Sequence, residues 1–245
     1  KFVREGAEDE FDLNEFFKAD AVEGSRPKRY EFKHEADVQK WLNLIRGQHL
    51  PYDPRLTGDD QLRPPLPFED KRLLATLKHT FWFLPSVAAC HAMGDLLKQP
   101  QNGFFQDYKI VVAAGAKAGI GLDALPPVRN AISRAGLGTR SITLSCMKLT
   151  TGITVPEWSG IFMLRNLNSP ETYFQAAFRV QSPWTTTEVD PVDGEVQHYL
   201  KPSCYLLDFS PNRALRLITD YATQLDPDPD ISKEPKVEEF LKYLP

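Results

Sequence analysis

Between residues 79 and 225 short apolar runs alternate with stretches of helical periodicity, and this alternation limits the fold more than any other feature. HTFWFL (79–84), YKIVVAA (108–114), SITLSCM (141–147), SGIFML (159–164) and SCYLLDF (203–209) each have strand length. They lack the apolar–polar alternation of a half-exposed strand, so both faces of each are expected to be covered. Helix signals fall between them. Ser86 precedes VAACHAMGDLL, with Ala89, Met93 and Leu96 on one face. PPVRNAISRAG opens on proline and stops at Gly136. Ser169-Pro170-Glu171 combines a capping hydroxyl, a first-turn proline and an acid near the positive helix end. Ser210-Pro211 opens a last core helix, with Leu215, Ile218, Ala222 and Leu225 expected on one face. Strand–helix repetition of this kind predicts an α/β fold: a mainly parallel sheet with helices on both faces.

Outside this region the chain is more polar. Residues 1–70 read as a mostly helical or irregular accessory segment. FDLNEFF is a short helix, HEADVQKWLNLIRG a longer one stopping at Gly47, and PYDPRLTGDDQLRPPLP a proline-rich connector. Residues 226–245 read as a polar linker and a short tail helix. The expected domains are therefore 1–70, 71–225 and 226–245. The chain opens KFVREGAEDE without methionine, as a piece of a longer protein would.

Charge and cysteine content narrow the function classes. The net charge of −4 gives no global basic footprint for nucleic acid, although a local patch remains compatible with it. Cys90, Cys146 and Cys204 are odd in number, widely spaced and set among apolar residues. This argues against a disulfide framework and suits a reducing, cytoplasmic setting. No apolar run approaches the roughly 20 residues that span a bilayer, so no membrane role is expected.

Three local patterns invite a functional reading and fail on context. VVAAGAKAGIG (111–121) is a strand feeding Gly115, Gly119 and Gly121, spaced as in the short-chain dehydrogenase loop. A dinucleotide loop must run directly into a helix whose amides hold the pyrophosphate, and Pro126 and Pro127 interrupt that helix. No tyrosine has lysine four residues on, so that family's catalytic pair is missing as well. Asp9-Glu10-Phe11-Asp12 follows a charged segment rather than an apolar strand. Cys90-His91 has no partner at zinc-ligand spacing, and a packed helical cysteine is the simpler reading.

The chemistry concentrates in KLTTGITVPEWSGIFMLRNLNSPETYFQAAFRVQSPW (148–184). Thr150, Thr151 and Gly152 follow a buried strand, at the sheet edge where α/β proteins bind ligands. On the helix that follows, Tyr173, Ala176, Ala177 and Val180 form an apolar stripe, while Thr172, Gln175 and Arg179 share the other side. Strand, TTGITVP, strand, then a helix with Gln-x-x-x-Arg resembles motifs V and VI of superfamily 2 helicases and translocases. It is most like the motor subunits of restriction–modification systems. HTFWFLPS resembles motif IV, and SCYLLDFSPNRALRLI resembles the last strand and helix of the same lobe, so the likeness covers about residues 71–225.

This resemblance implies a C-terminal RecA-like lobe, a three-layer domain. Gly152, Gln175 and Arg179 would face ATP, with Arg179 as the catalytic arginine finger. Pro85, Ser86, Thr150 and Thr151 would contact the nucleic-acid backbone. ATP and Mg²⁺ would be held mainly by an N-terminal RecA-like lobe of the same parent protein, since no G-x-x-x-x-G-K-[ST] loop occurs in this chain. DNA is the implied substrate, nuclease or methyltransferase modules are the implied neighbours, and the fragment alone is expected to be inactive. The pattern departs from the family at Thr154, Phe178 and Ser182, where an acid, a glycine and a second arginine are usual. Those departures and the acidic balance define the alternative: a degenerate RecA-like domain serving as a binding or scaffold module.

Overall fold

The computed structural model describes residues 2–4, 7–48, 66–115, 121–132, 136–147, 153–190, 194–226 and 232–244. In chain order the N-terminal part holds β1 (Val3–Arg4), β2 (Ala7–Phe11), α1 (Leu13–Phe16), β3 (Ala19–Ala21), β4 (Tyr30–Phe32) and α2 (Glu35–Ile45). After the connector come α3 (Lys71–Thr76), β5 (His79–Phe83), α4 (Val87–Leu97), β6 (Lys109–Val112), α5 (Leu125–Ile132), β7 (Ser141–Ser145), β8 (Gly160–Met163) and α6 (Pro170–Ala177). The chain closes with β9 (Thr185–Asp190), β10 (Gly194–Tyr199), β11 (Tyr205–Asp208), α7 (Pro211–Leu225) and α8 (Lys233–Leu241).

Among the described residues, five strands form one sheet in the order β11-β8-β5-β7-β6. Every pairing in it is parallel. All five residues of β5 are buried, as a central strand covered on both faces requires. Right-handed crossovers dictate the layers. From β5 the chain moves outward to the edge strand β6 through α4, then returns through α5 to β7, so α4 and α5 lie on opposite faces. Side-chain alternation agrees. Trp82 packs with α4, while Phe81 and Phe83 pack with α5 and α6. The fold is thus α/β with three layers, in keeping with a RecA-like domain.

Local chemistry sets the helix starts. The Ser86 hydroxyl accepts the Ala89 amide at 3.1 Å, and the Ser169 hydroxyl accepts that of Thr172 at 3.2 Å. Each cap contributes about 1 kcal/mol. Pro126 and Pro127 sit in the first turn of α5, where a missing amide costs nothing. A 3-10 turn, Gly121–Ala124, precedes that helix, and Gly119 lies outside the described residues. Gly115 (φ +77°) supplies the left-handed residue that ends β6.

The N-terminal part covers the α4 face. Val38, Trp41, Leu42 and Ile45 of α2 are buried in the same core as Trp82 and Phe162. The Trp41 and Trp82 rings meet edge-on at 5.7 Å. Besides its two helices this part contributes two short antiparallel pairs, β1–β2 and β3–β4. The opposite face carries α5, α6, α7 and α8, where Phe174, Tyr221 and Phe240 pack together.

Two features depart from the sequence expectation. The ribbon β9–β10 is an additional antiparallel pair between α6 and β11. On α7 the buried residues are Arg213, Leu217, Ile218 and Ala222, while Leu215 and Leu225 are about 60% exposed (59% and 61%). The helix is rotated because Arg213, not a leucine, anchors it.

Candidate functional site

In a parallel α/β sheet the strands' carboxyl ends collect the loops that can hold a ligand. Here that edge is formed by Pro85-Ser86 after β5, Cys146-Met147 after β7, Arg165-Asn166 after β8 and the end of β11 at Asp208. Arg165 joins its own segment to Cys146-Met147 and to Phe83 of β5. Its Nη1 donates to the Cys146 carbonyl at 2.6 Å, and its guanidinium lies 5.0 Å from the Phe83 ring centre. Burial pushes its pKa down. Its Nε is buried without a hydrogen-bond partner among the described residues.

Beside it lies a closed ionic cluster. Arg213, fully buried, forks onto Asp208 at 2.7 and 2.8 Å. It also donates to the Arg165 carbonyl at 2.5 Å and to Asn166 Oδ1 at 2.9 Å. The Tyr173 hydroxyl donates to Asp208 at 2.9 Å, and burial, then the Asp208 charge, raises its pKa. Burying a guanidinium costs less when its charge is paired and hydrogen-bonded in this way. The cluster ties β8, β11, α6 and α7 together beneath the edge.

Asn166 also receives the N-terminal part. Its Oδ1 accepts the Leu13 amide at 3.2 Å, and its own amide donates to Asn14 Oδ1 at 3.0 Å. Helix α1 therefore straps across the crevice between β5 and β8. Asp12, Asn14, Glu15, Lys18 and Asp20 share a depression of about 410 Å³ with Pro85 and Ser86. Hydrogen bonds from Lys33, His34 and Lys18 hold the Glu15 carboxyl down to about 2. Pro85 and Ser86 are half-buried, and Ser86 spends its oxygen on the α4 cap.

Arg179 lies in the 3-10 turn Phe178–Val180 that ends α6, on the opposite face from α4. Its Nη1 donates to the carbonyl of Ile153, the residue after Gly152, and burial pushes its pKa down. Gln175 is exposed one turn earlier. Thr150, Thr151 and Gly152 lie outside the described residues. The turn bearing Arg179 thus meets Ile153, which follows Thr-Thr-Gly in the sequence, whereas Pro85 and Ser86 belong to the strapped crevice.

Sequence reasoning missed the residue that fixes this meeting. The Lys201 ammonium donates to the carbonyls of Pro156, Trp158 and Val180 at 2.8, 2.9 and 2.7 Å. It joins the segment after Ile153 to the end of the Arg179 turn. Burial pushes its pKa down to about 8. Arg129 adds a second tie, donating to the Thr154 carbonyl at 3.0 Å and forking onto Glu157 at 2.9 and 2.8 Å. At the opposite, amino-end edge, His79 is structural. Its Nδ1 and Nε2 lie 2.9 Å from Ser141 Oγ and 2.8 Å from the Gly136 carbonyl, and burial lowers its pKa. A carbonyl can only accept, so Nε2 is the donor to Gly136. No group of three or more potential metal ligands occurs among the described residues. No described helix is long and apolar enough to cross a membrane.

The described residues form a three-layer α/β domain built on a parallel sheet, and comparison with known proteins adds one relationship. No family model matches the chain. It is 29% identical over 239 residues, 96% of its length, to a Mycoplasma pneumoniae protein named "Putative type II restriction enzyme and methyltransferase RM.MpnORF110P C-terminus". The chain spans 30% of that relative's length. The similarity is thus to part of a restriction–modification protein.

Proposed function

We propose that this chain is the C-terminal motor lobe of an ATP-dependent DNA translocase belonging to a restriction–modification protein. The hydrogen bond from Arg179 to the Ile153 carbonyl carries the reading. It joins the arginine of Gln-x-x-x-Arg to the segment that leaves Thr150-Thr151-Gly152, as coupling between a nucleotide-facing arginine and a strand-gripping loop requires. The restriction–modification relative supports the class of parent protein.

In this reading residues 71–225 are the lobe, 1–70 join it to an N-terminal lobe, and 226–245 lead onward to the tail. Nuclease or methyltransferase modules of the parent would lie beyond, and the whole would act in the cytoplasm. ATP with Mg²⁺, held mainly by the N-terminal lobe, supplies the phosphoryl group. The residues here fit a supporting role toward it. Arg179 is half-buried and donates to a neutral carbonyl, and a phosphate oxygen is a stronger acceptor than that. On lobe closure Arg179 would exchange Ile153 for the γ-phosphate and stabilise its spreading charge, while Gln175 lines the same helix side. Lys201 keeps the Arg179 turn and the 153–158 segment moving as one body, so that the change at the nucleotide reaches Thr150 and Thr151 on the strand. The parent protein should displace a triplex-forming oligonucleotide from duplex DNA only with hydrolysable ATP. ATP turnover without displacement would sink the translocase reading.

A second reading, a non-catalytic binding module, is favoured by the α1 strap on Asn166, which fills the crevice where an α/β ligand would enter. It predicts nucleic-acid or protein binding by the parent with no DNA-stimulated turnover.

A further inference from the structure

A cavity of about 550 Å³, lined by none of the candidate site residues above, lies at the carboxyl end of the edge strand β6. The β3–β4 hairpin leans over it with Lys28 and Tyr30, α4 contributes Val87 and His91, and the start of α5 contributes Pro127. Its floor is the β6 exit at Gly115, where the left-handed turn is forced (φ +77°) and an added Cβ would stand 3.2 Å from Val87.

The polar content is sparse and specific. The Tyr30 and His91 rings are stacked at 5.3 Å with planes 20° apart. The exposed Lys28 ammonium is held 5.3 Å from the Tyr30 ring centre, within cation–π range. A mostly apolar cavity with an aromatic stack on one wall and, among the described residues, one lysine at its rim selects a planar aromatic ligand carrying a negative group. Its volume exceeds that of a base with its sugar. A simple anion would leave the apolar walls uncovered, and an uncharged aromatic would leave Lys28 unused.

We propose that this cavity binds one nucleotide unit, the base against the Val87 and Pro127 walls beside the Tyr30–His91 stack and the phosphate at Lys28. The unit can come from a free nucleotide or from a single strand. The site uses none of Arg179, Gln175 or the Thr-Thr-Gly loop, so it goes beyond the motor reading and stands or falls without it.

The test is calorimetric titration of the 245-residue chain with AMP, adenosine, ribose 5-phosphate and the oligomer (dA)₆, supported by ligand-observed NMR. AMP should bind more tightly than either of its halves. Lys28→Met, an exposed change with no folding cost, should weaken AMP about tenfold and leave adenosine unchanged. Tyr30→Ala should weaken both by about tenfold, and Tyr30→Phe, which keeps the ring, should not. Tighter binding of (dA)₆ than of AMP assigns a strand as the source, and the reverse assigns a free nucleotide. Either supports the site. Ribose 5-phosphate binding as tightly as AMP and indifferent to Tyr30→Ala would overturn it, as would no binding of AMP and (dA)₆ at millimolar concentration to a folded chain.

Discussion

Lys201→Met tests the clamp that holds the candidate site together. Methionine keeps the apolar stem and the volume but removes all three donors. The carbonyls of Pro156, Trp158 and Val180 now share one ammonium in a residue only 9% exposed. A hydrogen bond to a charged group is worth about 1.5–3 kcal/mol, and a buried acceptor left bare costs about 1–3 kcal/mol. Three such losses would sum to well above 3 kcal/mol if nothing relaxed. Pro156 is half-exposed and regains water, and removing the cation also relieves its desolvation, so a net loss of about 3 kcal/mol is expected. For a chain of this size that corresponds to a fall in Tm of about 6–12 °C. Differential scanning fluorimetry with Lys98→Met, an exposed lysine on the far side of the fold, gives the baseline. A Lys201→Met midpoint within about 2 °C of that control would refute the clamp.

Three further outcomes follow from the same geometry. Between about pH 8 and 10.5 the unfolded chain holds the Lys201 proton more tightly than the fold does, so stability gains a contribution as pH rises through that window; urea midpoints of wild type relative to Lys201→Met should show the difference widening there and staying flat below it. Asp208→Asn leaves the Arg213 charge buried without its carboxylate and should cost about 3–5 kcal/mol in urea denaturation, whereas an unchanged midpoint would mean that water reaches the cluster. Gly136→Ala places a methyl 2.7 Å from Trp184 Cζ2 at φ +64° and should cost about 2 kcal/mol, with a shift in tryptophan fluorescence.

The sheet was legible because burial on both faces writes strands as unbroken apolar runs, and β5, β7 and β8 fall where HTFWFL, SITLSCM and SGIFML place them. Helix starts were legible at Ser86 and Ser169, whose hydroxyls cap, but not at α3, capped by Asp70. What stayed hidden has a common cause: apolar counting cannot see a charged residue buried by its partner. Arg213 turns the α7 face because Asp208 lies five residues earlier at the end of β11, a pairing made in space. Lys201 gives no signal either, since its three acceptors are backbone atoms of two distant segments. The β9–β10 ribbon, which opens Thr-Thr-Thr-Glu, lacks the alternation of a half-buried strand. The N-terminal part looked thin in apolar residues, yet its few are large: Phe16, Phe17, Phe32 and Trp41 are enough to cover a sheet face. Within the candidate site, Gln175 and Arg179 could be picked from helical spacing. The link of Arg179 to Ile153 needed coordinates.

The central claim rests on Arg179, and the most direct measurement is DNA-stimulated ATP hydrolysis by the parent protein carrying Arg179→Ala. Turnover should fall about 10³-fold or more, with DNA affinity within about threefold of wild type and little recovery in Arg179→Lys, whose point charge lacks the guanidinium fork. Wild-type turnover in Arg179→Ala would contradict it and leave the arginine as no more than a brace for the Ile153 carbonyl.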